Sequence, residues 1–173
     1  MILQVTEIHI KRKKEIKVEI LEDLKKTIDL DYGVKLHPRY VEGVHEEQFE
    51  KDKKEIESIY GVKFPQDYYE SFFVLIGIYN FDGLSLFSLD AIEEDNNNYI
   101  DTLGNSDQNY ILVGKSSYDL LVYDVDNKGF GVLSFSEWTN SAEVGNVEKG
   151  YESFLNDVIS SYINPNLGEN EEI

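Results

Sequence analysis

Carboxylates are the side chains through which this chain could carry out chemistry, since it contains 34 Asp and Glu residues. General acid–base catalysis needs two carboxyl groups in one cleft, with their pKa values pushed apart. The sequence places most of its acidic residues in predicted loops, or facing outward on predicted strands. We therefore predict a solvated acidic surface with no catalytic residue. A hydrolase that uses the acidic cluster is the least favoured alternative.

The sequence also lacks the common metal, nucleophile and cofactor motifs. His9, His37 and His45 do not pair at the four-residue spacing that places two metal ligands on one helical face. The chain has no cysteine, no Gly-x-Ser-x-Gly elbow and no glycine-rich phosphate loop. The sequence therefore predicts no metal site and no cofactor.

One segment matches the start of a calcium-binding loop. Such a loop begins Asp-x-Asp and has Gly at position six, and Asp124, Asp126 and Gly129 fit this pattern. Position five, however, is Lys128, and position twelve is Phe135, where a bidentate Glu is required. We interpret the segment as a polar hairpin turn between two strands.

The negative charge is concentrated in the second part of the chain. Residues 1–63 carry 13 Lys and Arg against 14 Asp and Glu, whereas residues 64–173 carry 3 against 20. An anionic surface of this kind repels nucleic acid and anionic membranes and attracts basic proteins. The simplest alternative is that the charge serves solubility alone.

Length and hydropathy predict one soluble, cytoplasmic domain. A chain of 173 residues buries enough surface to fold without a disulfide or a metal. Its first residues do not form a signal peptide, and no apolar stretch approaches the roughly 20 residues that cross a bilayer.

The N-terminal 45 residues have an ambiguous pattern. Alternating apolar residues predict strands to about residue 20, and the spacing of others fits a helix, which we place over 21–28. We treat residues 1–45 as an N-terminal extension. Residues 46–163 form the main domain, and residues 164–173 form a disordered acidic tail that starts where Pro165 ends the last helix.

The main domain has clearer signals. Apolar spacing predicts a helix that stops at Gly61 and a second that Pro65 opens and that ends near Gly77. The remaining predicted elements, in chain order, are a strand at 84–89, a helix around 91–103, strands at 110–114, 120–124, 131–135 and 143–147, and a closing helix from about residue 150. This order implies an α+β fold with a mostly antiparallel sheet and helices packed on one face.

These segments, in this order, resemble the SUKH superfamily, the Smi/Knr-like domain. The matching segments are Ile56–Pro65, Asp67–Phe73, Ile111–Gly114 with Leu121–Asp124, and Val144–Val147 leading to Tyr151–Leu155. The resemblance covers about residues 46–163. It departs from the family pattern after the second helix, where Gly77 and a looser Asn80–Gly83 replace the expected Asn-Gly.

The resemblance implies a non-enzymatic protein-binding domain of the α+β class. Many bacterial members are immunity proteins that neutralise a cognate polymorphic toxin, often a nuclease. We therefore expect an immunity protein that binds a basic toxin domain through its acidic surface, with nucleic acid and membrane excluded as partners. The alternative is a regulatory interaction domain of the cell-wall-assembly type, without a toxin partner.

Candidate contact residues lie in loops and at strand ends around the predicted sheet. The acidic candidates are Asp82, Glu93, Glu94, Asp95, Asp119, Asp124, Asp126 and Glu137. Aromatic anchors would supply most of the binding energy if they are exposed. The aromatic candidates are Trp138, Tyr99 and Tyr118. The alternative for Trp138 is a buried position in the core.

Overall fold

The computed structural model describes residues 39–73 and 84–168. The extension proposed for residues 1–45 therefore lies mostly outside the described residues. So do Asp82 and residues 169–173 of the proposed tail.

Two helices open the described part of the chain. Helix α1 spans Glu46–Tyr60 and ends at Gly61, which adopts the left-handed conformation with φ 64° and donates its backbone N–H to the carbonyl of Glu57. A residue with a Cβ would be strained there, so glycine is a natural helix end. Helix α2 spans Gln66–Ser71 and follows Pro65.

The sheet has four strands in the order β1-β2-β3-β4, and each neighbouring pair is antiparallel. The strands are β1 at Ser85–Leu86, β2 at Tyr110–Lys115, β3 at Asp119–Asp124 and β4 at Gly129–Ser134. The predicted α+β class with an antiparallel sheet is therefore confirmed. The predicted turn connects β3 to β4, and Asp124 fixes it by accepting hydrogen bonds from the backbone and side chain of Asn127.

Three further helices complete the described structure. Helix α3 spans Ile92–Leu103, close to its predicted bounds, and α5 spans Tyr151–Gly168. The short helix α4 at Phe135–Thr139 was not predicted. It begins after Ser134, because Ser134 and Glu137 form a capping box in which each side chain accepts a hydrogen bond from the other residue's backbone N–H.

Several predicted boundaries differ from the structure. Helix α2 ends at Ser71 rather than near Gly77, and the strand predicted at 84–89 is limited to Ser85–Leu86.

Residues 143–147 do not form a strand, and only Glu148 makes an isolated bridge to Phe130. Helix α5 continues to Gly168, past the point where Pro165 was expected to end it. A proline removes one backbone donor, and here only one turn of helix lies beyond it, so little pairing is lost.

Helices α2 and α5 cover one face of the sheet. Tyr123 on β3 pairs with Phe130 on β4, and their rings lie 5.0 Å apart. Phe130 contacts Tyr68 of α2 at 5.7 Å and Phe154 of α5 at 5.5 Å between ring centroids. This aromatic cluster forms the centre of the core.

Helix α4 contacts the other face. Successive residues of a strand point to opposite faces, so Tyr110, which pairs with Asp124, lies on the face opposite Tyr123. Its ring lies 6.3 Å from that of Trp138 on α4. The helices thus contact both faces of the sheet, whereas the sequence predicted one, and this explains why β2 and β3 are buried along most of their length.

Asn96 joins α3 to the sheet. Its amide oxygen accepts a hydrogen bond from the backbone N–H of Leu112 at 2.8 Å, and its amide nitrogen donates to the carbonyl of Leu112 at 2.9 Å. The side chain therefore bonds to β2 through the same backbone groups that a neighbouring strand would use. These bonds lie next to the irregularity in the β2–β3 pairing between Leu112 and Gly114. Because Asn96 is buried, water cannot replace these bonds.

Burial raises the pKa of the tyrosine hydroxyls in and around the core, namely Tyr40, Tyr60, Tyr68, Tyr69, Tyr110, Tyr123 and Tyr151. For Tyr60, burial and the nearby charge of Glu93 raise the pKa to about 12. A raised folded-state pKa contributes stability that is fully present below the unfolded pKa of 10.0 and is lost as the pH rises from 10 towards 12.

We predict that Tyr60→Phe reduces the alkaline loss of stability. Between pH 8 and pH 11 the free energy of unfolding should fall in both proteins. After allowance for the partial exposure of Tyr60, this fall should be smaller by about 0.5–1 kcal/mol in the variant than in the wild type. Urea denaturation at the two pH values measures this difference. The two proteins should respond alike between pH 6 and pH 8, and an equal loss at pH 11 would refute the assignment to Tyr60.

Candidate protein-interaction groove

A groove of about 550 Å³ opens where the end of β4 faces helix α5. Its apolar lining comes from Val132 on β4 and from Phe154 and Val158 on α5. Val132 is 37 % exposed, although its neighbours Gly131 and Leu133 on the strand are buried. The groove therefore offers an apolar surface to a partner at the edge of the sheet.

Four carboxylates line the same groove: Asp119, Glu137, Glu148 and Asp157. No lysine or arginine is among its lining residues in the described part of the chain. We call this region, the four carboxylates with Val132, Phe154 and Val158, the acidic groove. An apolar floor with a carboxylate rim suits a lysine or arginine side chain, whose stem is apolar and whose end is charged.

The local structure positions the carboxylates on the sheet side of the groove. Asp119 begins β3 directly opposite Ser134, the last residue of β4. The Oε1 atom of Glu137 accepts the backbone N–H of Ser134 at 2.8 Å, which fixes this side chain beside the strand end. Both carboxylates are thus set by the β3–β4 pairing and the helix cap that follows it.

Gly145, Asn146 and Glu148 also line the groove, in a segment that is held beside β4. The backbone N–H of Phe130 donates to the carbonyl of Glu148 at 2.7 Å, and the N–H of Glu148 donates to the carbonyl of Phe130 at 2.8 Å. Gly129 permits this close approach, because a Cβ there would lie 2.7 Å from the Glu148 carbonyl oxygen. Lys149 follows, and its ammonium donates to the carbonyl of Asn127 in the β3–β4 turn.

The structure separates the predicted acidic residues into three groups. Asp119 and Glu137 line the acidic groove. Glu93 and Glu94 are exposed on α3, which joins the sheet at β2. Asp95 lies beside them half-buried, where burial and the charges of Glu94 and Asp90 raise the pKa of its carboxyl.

The third group is Asp126, which is exposed in the β3–β4 turn.

Asp124 and Trp138 do not fit the predicted role in partner binding. Asp124 is 4 % exposed, because its carboxylate holds the turn through Asn127. Trp138 is 3 % exposed, and its indole N–H donates to the carbonyl of Gly104 at 2.9 Å. Trp138 therefore belongs to the core, the alternative that the sequence left open.

The other two aromatic candidates differ in exposure. Tyr99 stacks on Phe87 with ring centroids 5.8 Å apart, and the ammonium of Lys115 lies 5.5 Å from its ring. Tyr118 is 79 % exposed in the β2–β3 turn. Since Tyr118 directly precedes Asp119, it is an exposed aromatic candidate placed next to the acidic groove in sequence.

Sequence reasoning missed two of the four groove carboxylates, Glu148 and Asp157. A signal for Asp157 was present in the sequence, because Phe154 and Val158 lie at apolar helical spacing in the predicted closing helix and Asp157 is next to them. For Glu148, the sequence carried no such signal, since its position depends on the bridge to Phe130.

No protein-family model matches the chain, and no curated protein matches it. Within residues 39–73 and 84–168, no helix is long and apolar enough to span a membrane. In the same residues, no group of three or more His, Cys, Asp or Glu is arranged to hold a metal ion.

Proposed function

We propose that the chain is an immunity protein that binds a basic toxin domain and blocks its substrate-binding face. The observation that carries this proposal is the acidic groove, which four carboxylates and an apolar floor line without a basic side chain among the described residues. The resemblance of residues 46–163 to the SUKH superfamily supports the same function. In this proposal the protein acts in the cytoplasm, before the toxin reaches nucleic acid.

Charge complementarity explains why such a surface would neutralise a nuclease. A nuclease presents Lys and Arg to hold the phosphates of its substrate. An acidic surface competes for these side chains and accelerates association by electrostatic steering. The apolar floor adds contact area that excludes water, which strengthens the charge interactions at the rim.

Co-expression tests the proposal. We expect the wild-type chain to protect cells from the C-terminal domain of a large toxin encoded beside it, and a toxin domain from an unrelated locus to kill cells in its presence. If the neighbouring domain kills cells equally with and without this chain, the immunity function is refuted. A regulatory interaction domain without a toxin partner predicts that second outcome.

A further inference from the structure

The outer edge of β4 is already covered by the chain itself. Phe130 exchanges both of its outward backbone hydrogen bonds with Glu148. Further along the strand, a Cβ on Gly131 would lie 2.1 Å from Val144 Cγ1 and 3.2 Å from the carbonyl oxygen of Asn146. Because residues 144–148 run along this edge, a partner at the acidic groove contacts side chains and does not pair with the strand.

The groove lies on the face of the sheet that α5 covers. Val132 comes two residues after Phe130 on β4, so their side chains point to the same face. On that face Phe130 contacts Phe154 of α5, with 5.5 Å between ring centroids. The lining residues of α5 stand at positions 154, 157, 158 and 161, a spacing that places them on one side of the helix. The groove is therefore a gap between a sheet face and one side of a helix.

The apolar and acidic lining residues of the groove differ in depth. Phe154 and Val158 are buried and form its bottom, whereas the four carboxylates are exposed or half-buried. A charged group at an apolar bottom would lose hydration without gaining a partner. An apolar side chain therefore fits the bottom, and basic side chains fit the more exposed carboxylates.

These properties select a helix that carries one apolar residue among basic ones. A segment that cannot pair with β4 must satisfy its own backbone groups, and a helix does so internally. Residues three and four positions before and after a helical residue lie beside it on the same face. Basic residues at these positions suit carboxylates that come from different elements, since Asp119 begins β3, Glu137 lies on α4 and Asp157 lies on α5.

We propose that a basic amphipathic helix of the partner docks in the acidic groove. One apolar side chain of this helix contacts Phe154 and Val158, and lysines or arginines around it contact the carboxylates. A second copy of the chain would bring its own carboxylates against the same carboxylates, and this repulsion opposes a dimer at the groove. The inference rests on the proposed function, because it specifies which kind of element of the toxin domain binds.

Three synthetic peptides test the docked helix. The parent is an alanine-based helix of about 20 residues, long enough to be helical in water. It has one central leucine and a lysine three and four positions before and after it, and it should bind the full chain in a calorimetric titration. Moving the leucine two positions along the chain keeps the composition and charge but turns the leucine to the far side of the helix. This change should weaken binding about tenfold, because the apolar contact is lost.

The third peptide tests whether the occupant must be helical. Proline replaces the alanine two positions after the central leucine, so the leucine and all four lysines stay in place while the helix is broken. It should bind about tenfold more weakly than the parent, because its side chains no longer share one face. Circular dichroism of the free peptides checks that the first two are helical and the third is not.

Two exposed serines of α5 provide matched protein variants. Ser161 lines the groove, and Ser153 is not among its lining residues. Ser161→Trp should fill the groove and weaken binding of the parent peptide about tenfold. Ser153→Trp adds the same side chain outside the groove and should leave the affinity nearly unchanged. If Ser161→Trp fails to fold, as judged by circular dichroism, the three peptides decide the question.

Several results would overturn the docked helix. They are no binding of the parent peptide, equal affinity for the parent and either altered peptide, and equal weakening by both tryptophan variants. A wild-type dimer that Ser161→Trp converts to a monomer would place a second copy in the groove instead. Co-expression remains a separate test: protection despite any of these results refutes this mode of docking alone, and peptide binding without protection refutes the immunity function alone.

Discussion

Amide replacement of the four groove carboxylates should slow association with the basic partner domain by about tenfold to a hundredfold at low ionic strength. The variant combines Asp119→Asn, Glu137→Gln, Glu148→Gln and Asp157→Asn. It removes the field that steers a basic protein to the groove and leaves the apolar floor unchanged. Glu137→Gln retains a side-chain oxygen that can accept the Ser134 N–H, so the helix cap should persist. Stopped-flow or surface-based kinetics with the toxin domain of the co-expression test measures the rate.

A matched variant separates position from net charge. This control variant also removes four negative charges, but from exposed positions on or after α3. It combines Glu93→Gln, Glu94→Gln, Asp101→Asn and Asp107→Asn. We expect this control to reduce the association rate by less than threefold, since these residues do not line the groove. Equal slowing in both variants would assign the effect to the overall charge and would contradict a specific role for the groove.

Asn96→Leu should destabilise the fold by about 3 kcal/mol, the largest stability effect that we expect from one substitution at the α3–β2 contact. Leucine removes the partners of both backbone groups of Leu112, and each unsatisfied buried group costs about 1–3 kcal/mol. For a chain of this length, the midpoint of thermal unfolding should fall by about 6–12 °C. Calorimetry or urea denaturation measures the change.

Asn97→Leu is the control for this substitution, because the adjacent Asn97 is exposed on the same helix. It should change the free energy of unfolding by no more than about 0.5 kcal/mol. Equal stability of the two variants would show that the hydrogen bonds of the Asn96 amide to Leu112 do not stabilise the fold.

Local signals were sufficient to predict much of the fold. The β-branched and aromatic runs identified β2, β3 and β4, because a strand buried on both sides is apolar along its length. Gly61 and Pro65 marked a helix end and a helix start, since each residue has a backbone restriction that acts locally. Whether the chain belongs to the SUKH superfamily stays a prediction.

The missed features depend on contacts between distant residues. Helix α4 was missed because Phe135 continues the apolar pattern of β4, and only the reciprocal hydrogen bonds of Ser134 and Glu137 end the strand there. Asp124 was predicted as a surface contact from its polarity and position, and Trp138 as an anchor if it is exposed, with a place in the core as the alternative. Their burial follows from partners that spacing does not show, which for Trp138 is the carbonyl of Gly104, 34 residues earlier.

Only two of the four carboxylates of the acidic groove were predicted, for the same reason. Asp119 and Glu137 lie at strand and helix ends, where exposed carboxylates are expected. Glu148 and Asp157 join them only because the chain returns along β4 and α5 then packs on the sheet. A charge count over residues 64–173 therefore indicated an acidic surface without locating the groove.

Recognition of a basic partner by the acidic groove is tested by the dependence of the association rate on salt, measured for the wild type and the groove amide variant against the same toxin domain. We expect the wild-type rate to fall steeply as salt is raised and the variant rate to be low and nearly independent of salt. The two rates should converge at high salt, where screening removes steering. A wild-type rate that does not change with salt, or an equally steep fall in both proteins, would contradict recognition of a basic partner by the acidic groove.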